Sequence, residues 1–71
     1  MPFKENIETA ANRILEYLKD KEEASSWQVK VSLHLAGSLM YLALGMLEAQ
    51  GKITVEPDGI NYKITKTPAQ N

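Results

Sequence analysis

Four residues, Leu35-Ala36-Gly37-Ser38, separate two stretches that both read as helix, and this break constrains the chain more than any other feature. So short a connection forces the second helix to turn sharply away from the first. Gly37 suits the left-handed conformation that ends a helix, and Ser38 suits the cap of the next one. The earlier helix opens at "SSWQV". There Ser25, followed three residues later by Gln28, has the form of a capping box, in which hydroxyl and amide satisfy each other's backbone N–H. This helix is expected over 26–35, with two apolar stripes: Val29 with Leu33, and Trp27 with Val31 and Leu35. The later helix is expected over 39–50 and stops at Gly51, a second helix-ending glycine.

Upstream, Ile7, Ala11, Ile14, Leu15 and Leu18 share one helical face, while Glu8, Asn12, Arg13, Glu16 and Lys19 take the other. That predicts an amphipathic helix over about 5–20, followed by a polar connection, "DKEEA". Downstream, "KITVEPDGINYKITK" alternates as a hairpin. Ile53 and Val55 must face the same side as Ile60, Tyr62 and Ile64. A two-residue Asp58-Gly59 loop satisfies this by pairing Val55 with Tyr62 and Ile53 with Ile64. A four-residue loop, Glu56 to Gly59, also satisfies it, and a three-residue loop does not. Asp-Gly is a strong turn dipeptide, so the first register is favoured. Three helices followed by a two-stranded wing, at about 53–56 and 60–65, make a mostly α chain with a small β-hairpin, the order of a winged helix-turn-helix. Residues 1–66 form one domain on this reading, and 67–71 form a disordered tail.

The third helical stretch reads Ala43-Leu44-Gly45-Met46-Leu47, followed by Gly51-Lys52-Ile53. In this the chain resembles a small bacterial winged helix-turn-helix family of unassigned function. That family carries Ala-Leu-Gly-Trp-Leu in its third helix and Gly-Lys-Ile soon after. Met46 stands where the family has Trp. The resemblance covers roughly Ile7 to Ile64. It implies the fold and a regulatory setting, and it carries no chemistry.

The core must come from apolar packing alone, because the 71 residues contain no Cys and 44% are hydrophobic. Formal net charge is −1. Residues 1–35 hold five basic and six acidic side chains, and the rest hold three of each, so no basic stripe emerges. The N-terminus has no apolar signal region and no apolar run approaches a membrane span, which predicts a cytoplasmic protein without a membrane partner.

Catalysis is not expected. The chain has one His and no Cys, and His34 has no acidic residue nearby in sequence to orient it. Glu22 and Glu23 lie in a connection and read as solvated. Glu56 and Asp58 flank a turn, where Asp serves the backbone. No glycine-rich phosphate loop occurs, and no cofactor, metal or small-molecule substrate is expected.

Two binding readings remain. A winged helix commonly sets its third helix in the DNA major groove. Yet Ser38 to Gln50 contains no Lys or Arg. With Leu39, Ala43, Met46 and Leu47 facing the core, the opposite face holds Ser38, Tyr41, Leu42, Gly45, Glu48 and Ala49. Base reading favours Arg, Lys, Asn or Gln, and Glu48 and Asp58 would repel phosphates. Lys30, Lys52, Lys63 and Lys66 are the candidate phosphate contacts, with solvated surface lysines as the plainer reading.

Protein contact, including self-association, is therefore placed ahead of DNA. Gly inside a helix costs about 1 kcal/mol relative to Ala, and an approaching partner at Gly45 would offset that. Trp27 and Val31 form a second candidate face. The competing reading has these residues covering the first helix or the hairpin, with Gly45 fitting an internal crossing.

Overall fold

Apolar residues recurring every three or four positions make the first element a helix, which packs chiefly against the third helix, and a three-stranded sheet completes the fold. The computed structural model describes residues 3–67, with side chains described from Asn6 onward. The chain runs α1 (Phe3–Leu18), β1 (Glu23–Ser25), α2 (Ser26–Leu33), α3 (Gly37–Ala49), β2 (Ile53–Asp58) and β3 (Asn61–Lys66). The strands form one antiparallel sheet in the order β1-β3-β2. The architecture is thus three helices with a three-stranded sheet, a mixed α/β arrangement, and not helices with a hairpin alone. The expected polar connection contains β1, in which Ala24 is buried opposite Ile64.

The capping box at the start of α2 forms as the sequence implies. The Gln28 N–H donates to Ser25 Oγ at 3.0 Å, and the Ser25 N–H donates to Gln28 Oε1 at 3.0 Å. The other end differs. α2 stops at Leu33 and is closed by His34, not Gly37, in the left-handed conformation at φ 55°. The Leu35 N–H donates to the Lys30 carbonyl at 3.1 Å and the His34 N–H to that of Val31 at 3.3 Å. These two bonds make a Schellman closure. A left-handed L-residue costs about 1–2 kcal/mol. The closure folds Leu35 into the core, and burying a Leu is worth about 1.5–3 kcal/mol, enough to offset it.

α3 then begins two residues earlier than expected. Its N-cap is Ala36, with no side-chain cap, and Ser38 lies exposed in the first turn. A Cβ at Gly37 would touch only Lys30 Cε, at an ordinary 3.8 Å, so sterics do not demand glycine there. The chain bends by 119° between α2 and α3. α3 ends as expected at Gly51, φ +76°, where the Lys52 N–H reaches the Leu47 carbonyl at 2.9 Å.

The hairpin keeps the expected facing but slides by two residues. Val55 lies opposite Ile64, Pro57 opposite Tyr62 and Asp58 opposite Asn61. The loop is therefore Gly59-Ile60, not Asp58-Gly59. Gly59 has φ +68° and Ile60 does not share a positive φ, the pattern of a type II′ turn. This register sets Ile64 opposite both Val55 and Ala24, at the middle of the sheet. Ile60, expected to face inward, instead caps the turn and is 97% exposed. At the base, the Thr67 N–H donates to the Lys52 carbonyl at 3.0 Å. The disordered tail expected over 67–71 otherwise lies outside the described residues.

The core joins Ala10, Ala11, Ile14 and Leu18 of α1 to Val29, Leu35, Met40, Ala43, Leu44, Leu47, Ile53 and Ile64. The buried face of α3 is rotated from the expected one toward Met40 and Leu44, leaving Leu39 and Met46 only half-buried. Leu33 is likewise half-buried, and Leu35 joins the core instead of the exposed stripe. Small side chains at Ala10, Ala11 and Ala43 let α1 and α3 pack closely. Arg13 donates to the Leu33 carbonyl at 2.7 Å, so a cation meets the negative end of α2. Ser26, the one buried polar residue among those described, accepts from the Tyr62 N–H at 3.0 Å just beyond the end of β1.

Two variants test this packing. Leu47→Ala should lose about 2–5 kcal/mol from a total of about 4–10 kcal/mol at ~0.05–0.15 per residue. Trp27→Ala should stay within about 0.5 kcal/mol of the parent. Urea denaturation reads both, and a Leu47→Ala curve coincident with the parent refutes the core assignment. Ser26→Ala should cost about 1–3 kcal/mol by stranding a backbone donor, and hydrogen exchange at the Tyr62 amide should speed up selectively.

Candidate functional site

Residues three and four apart on a helix share a face. On α3 this aligns Tyr41, Leu44, Gly45 and Glu48 along one side. Val55 and Tyr62 share a face of the hairpin, because β2 and β3 pair with Val55 opposite Ile64 and Pro57 opposite Tyr62. These six residues line a cleft of about 490 Å³ between α3 and the hairpin. Leu44, Val55 and Tyr62 were not foreseen as part of it. The signal for the last two was available in the hairpin's alternation, which puts both on the core side.

The foreseen outer face is brought together. Ser38, Tyr41, Leu42, Gly45, Glu48 and Ala49 are all exposed, Tyr41 to 47% and Leu42 to 46%. A Cβ placed on Gly45 meets nothing within 4 Å, so this glycine does not serve an internal helix crossing. Tyr41 and Tyr62 meet edge to face, with ring centroids 5.9 Å apart and planes at 77°. Glu48 Oε2 accepts from the Val55 N–H at 3.4 Å. That N–H points away from β3, and strand geometry points position 57 the same way. Pro57, two residues on, has no N–H to offer there.

The two residues of the second face, Trp27, at 60%, and Val31, are exposed on α2, while Leu35, the third member of their stripe, is withdrawn into the core. The four lysines do not all gather. Lys52 and Lys66 are neighbours at the base of the hairpin, where Lys66 lies opposite Ile53, while Lys63 lies further along β3 and Lys30 on α2. Lys63 lies between two carboxylates, Glu23 at 3.9 Å and Glu56 at 3.7 Å, on the sheet's outer side. With all three half exposed, these pairs contribute little stability, but they balance the lysine's charge. Lys52 lines a groove between α1 and α3 beside Glu8. Lys66 lines another beside Glu16 and Lys19. Lys30 is exposed on α2, its stem lying near Gly37.

His34 is exposed and serves the backbone turn. Among the described residues no three His, Cys, Asp or Glu converge as a metal site, and no single helix is long and apolar enough to cross a membrane.

Compared with models of known protein families, with curated proteins and with solved structures, the chain matches none.

Open space at Gly45 has an energetic consequence. Gly45→Ala should stabilise the protein by about 0.5–1 kcal/mol, since the added methyl meets nothing and the helix gains propensity. Thermal unfolding checks this, and a lowered melting temperature would show that the position is packed.

Proposed function

We propose that this chain is a winged helix-turn-helix domain acting as a non-catalytic binding module in a regulatory setting, with protein contact made through the outer face of α3. The fold assignment is supported by the element order, by the three residues between α2 and α3, and by the 119° bend, which falls in the range of helix-turn-helix pairs. The contact assignment is carried by one observation. The outward side of α3 exposes Tyr41, Leu42, Gly45 and Ala49 with Glu48 as its only charge. An exposed apolar and aromatic face with little charge is the composition of an interface centre. Trp27 and Val31 add a second exposed apolar pair on α2.

DNA binding is the second reading, and the helix pair's geometry favours it, since that geometry presents α3 outward. The charges oppose it. Phosphate neutralisation supplies most nonspecific affinity, and here Lys63 is already engaged while Lys52 and Lys66 line adjoining grooves that also hold Glu8 and Glu16. At near-physiological salt, duplex affinity should be no tighter than the nonspecific range of roughly 10⁻⁴ M.

Sedimentation of the parent and Gly45→Arg, each alone and with random duplex at low salt, tests both readings. Gly45→Arg should be as stable as the parent or more so, because Arg is a good helix former. It should also lose association, because a bulky charge then occupies the face. A parent that stays monomeric at high concentration removes self-association and leaves a second protein as the partner. A tight, sequence-selected duplex complex with chemical-shift changes centred on Tyr41 and Glu48 overturns protein contact in favour of DNA.

A further inference from the structure

We infer that the cleft between α3 and the hairpin receives an arginine side chain from the partner protein, with the guanidinium on the Glu48 carboxylate and its plane against the tyrosine rings. This rests on the protein-contact reading and specifies the partner's chemistry. Among the described residues Glu48 is the only charged group lining the cleft. It forms no ion pair among them, whereas Lys63 has two carboxylate partners. The carboxylate also sits in the last turn of α3, at the negative end of the helix, and that turn contains no basic residue. The local field is therefore negative, and the cation that would complete it is not supplied from within the cleft.

The remaining walls suit the stem and plane of an arginine. The single bond that Glu48 Oε2 accepts from the Val55 N–H, long at 3.4 Å, leaves most of the carboxylate's lone-pair capacity free. Tyr41 and Tyr62 are both more than a third exposed and meet at 77°, so a ring face stays open to a cation. Leu44, Val55 and the bare backbone at Gly45 leave an apolar path for an aliphatic stem. Lysine fits less well. Its ammonium is a strongly hydrated point charge, whereas the guanidinium is planar, stacks on aromatic rings and forks onto a carboxylate.

The test is an NMR titration of the full chain with three probes: acetyl-leucyl-arginine amide, its neutral citrulline counterpart and its lysine counterpart. The arginine probe should give saturable shifts confined to the amides of Gly45, Glu48, Val55 and Tyr62. Glu48→Gln keeps an acceptor for Val55 but removes the charge, and should weaken the arginine probe about tenfold, or 1.4 kcal/mol. Tyr41→Ala should weaken it several-fold. Equal shifts with the citrulline probe, or shifts spread over other surface carboxylates, overturn the inference. Equal affinity for the lysine probe overturns the choice of arginine. Association abolished by Gly45→Arg while the arginine probe leaves the cleft unperturbed overturns this assignment alone. Association that survives Gly45→Arg overturns the α3-face reading beneath it.

Discussion

Ile64 is where the parts of this chain meet. It lies opposite Ala24 on one side and Val55 on the other, fully buried, in the central strand of the sheet. Its position ties a strand that precedes α2 to a hairpin that follows α3, so residues some forty positions apart are held in one ladder. The rest follows from this pairing. It fixes the hairpin register, which sets Tyr62 opposite Pro57 and turns Tyr62 and Val55 toward α3. It also leaves the Tyr62 N–H just past the end of β1, where the buried Ser26 hydroxyl accepts it. A chain this short, without cross-links, depends on such shared residues because it has little core to spare.

What the residues disclosed, and what they hid, divides along locality. Helix α1, the Ser25–Gln28 box and the Gly51 terminus depend on neighbours within one or two turns, and each could be read directly. β1 depends on a partner far away. Glu23-Ala24-Ser25 has no β-branched or aromatic residue and one small apolar side chain, so nothing nearby marks it as strand. The turn likewise depends on more than its own dipeptide. Asp58-Gly59 is locally the better hairpin loop, but the Gly59-Ile60 loop is the one formed, and it sets Val55 opposite Ile64 and Pro57 opposite Tyr62. At the α2–α3 break, Gly37 looked like the terminator. Burial of Leu35 overrode that by closing the helix at His34, a residue type that tolerates the left-handed conformation better than most.

The candidate face was legible in part. Position along α3 and the absence of Lys and Arg were enough to name Ser38, Tyr41, Leu42, Gly45, Glu48 and Ala49. The hollow beside them was not, because a cleft is made by two elements and the periodicity of one helix discloses only one of its walls. Its far wall comes from the hairpin, and its depth comes from glycine at position 45. The helix pair bends by 119°, while the surface it presents is apolar and aromatic with a single carboxylate. Geometry belongs to the fold, and chemistry belongs to the few side chains set upon it.

The free side of β2 bears on how this molecule can meet others of its own kind. An open strand edge is a template on which a second chain can add its own strand, and proteins guard such edges against aggregation. Here the outward N–H of Val55 is taken by Glu48 and the next outward position is Pro57. Strand addition along β2 would find one donor occupied and the next missing. Fibril-like stacking and strand exchange are discouraged on that side, and an encounter there falls to side chains. The carboxylate that shields the edge is also the group facing the cleft, so a ligand that draws Glu48 away would expose the Val55 amide and reopen the edge.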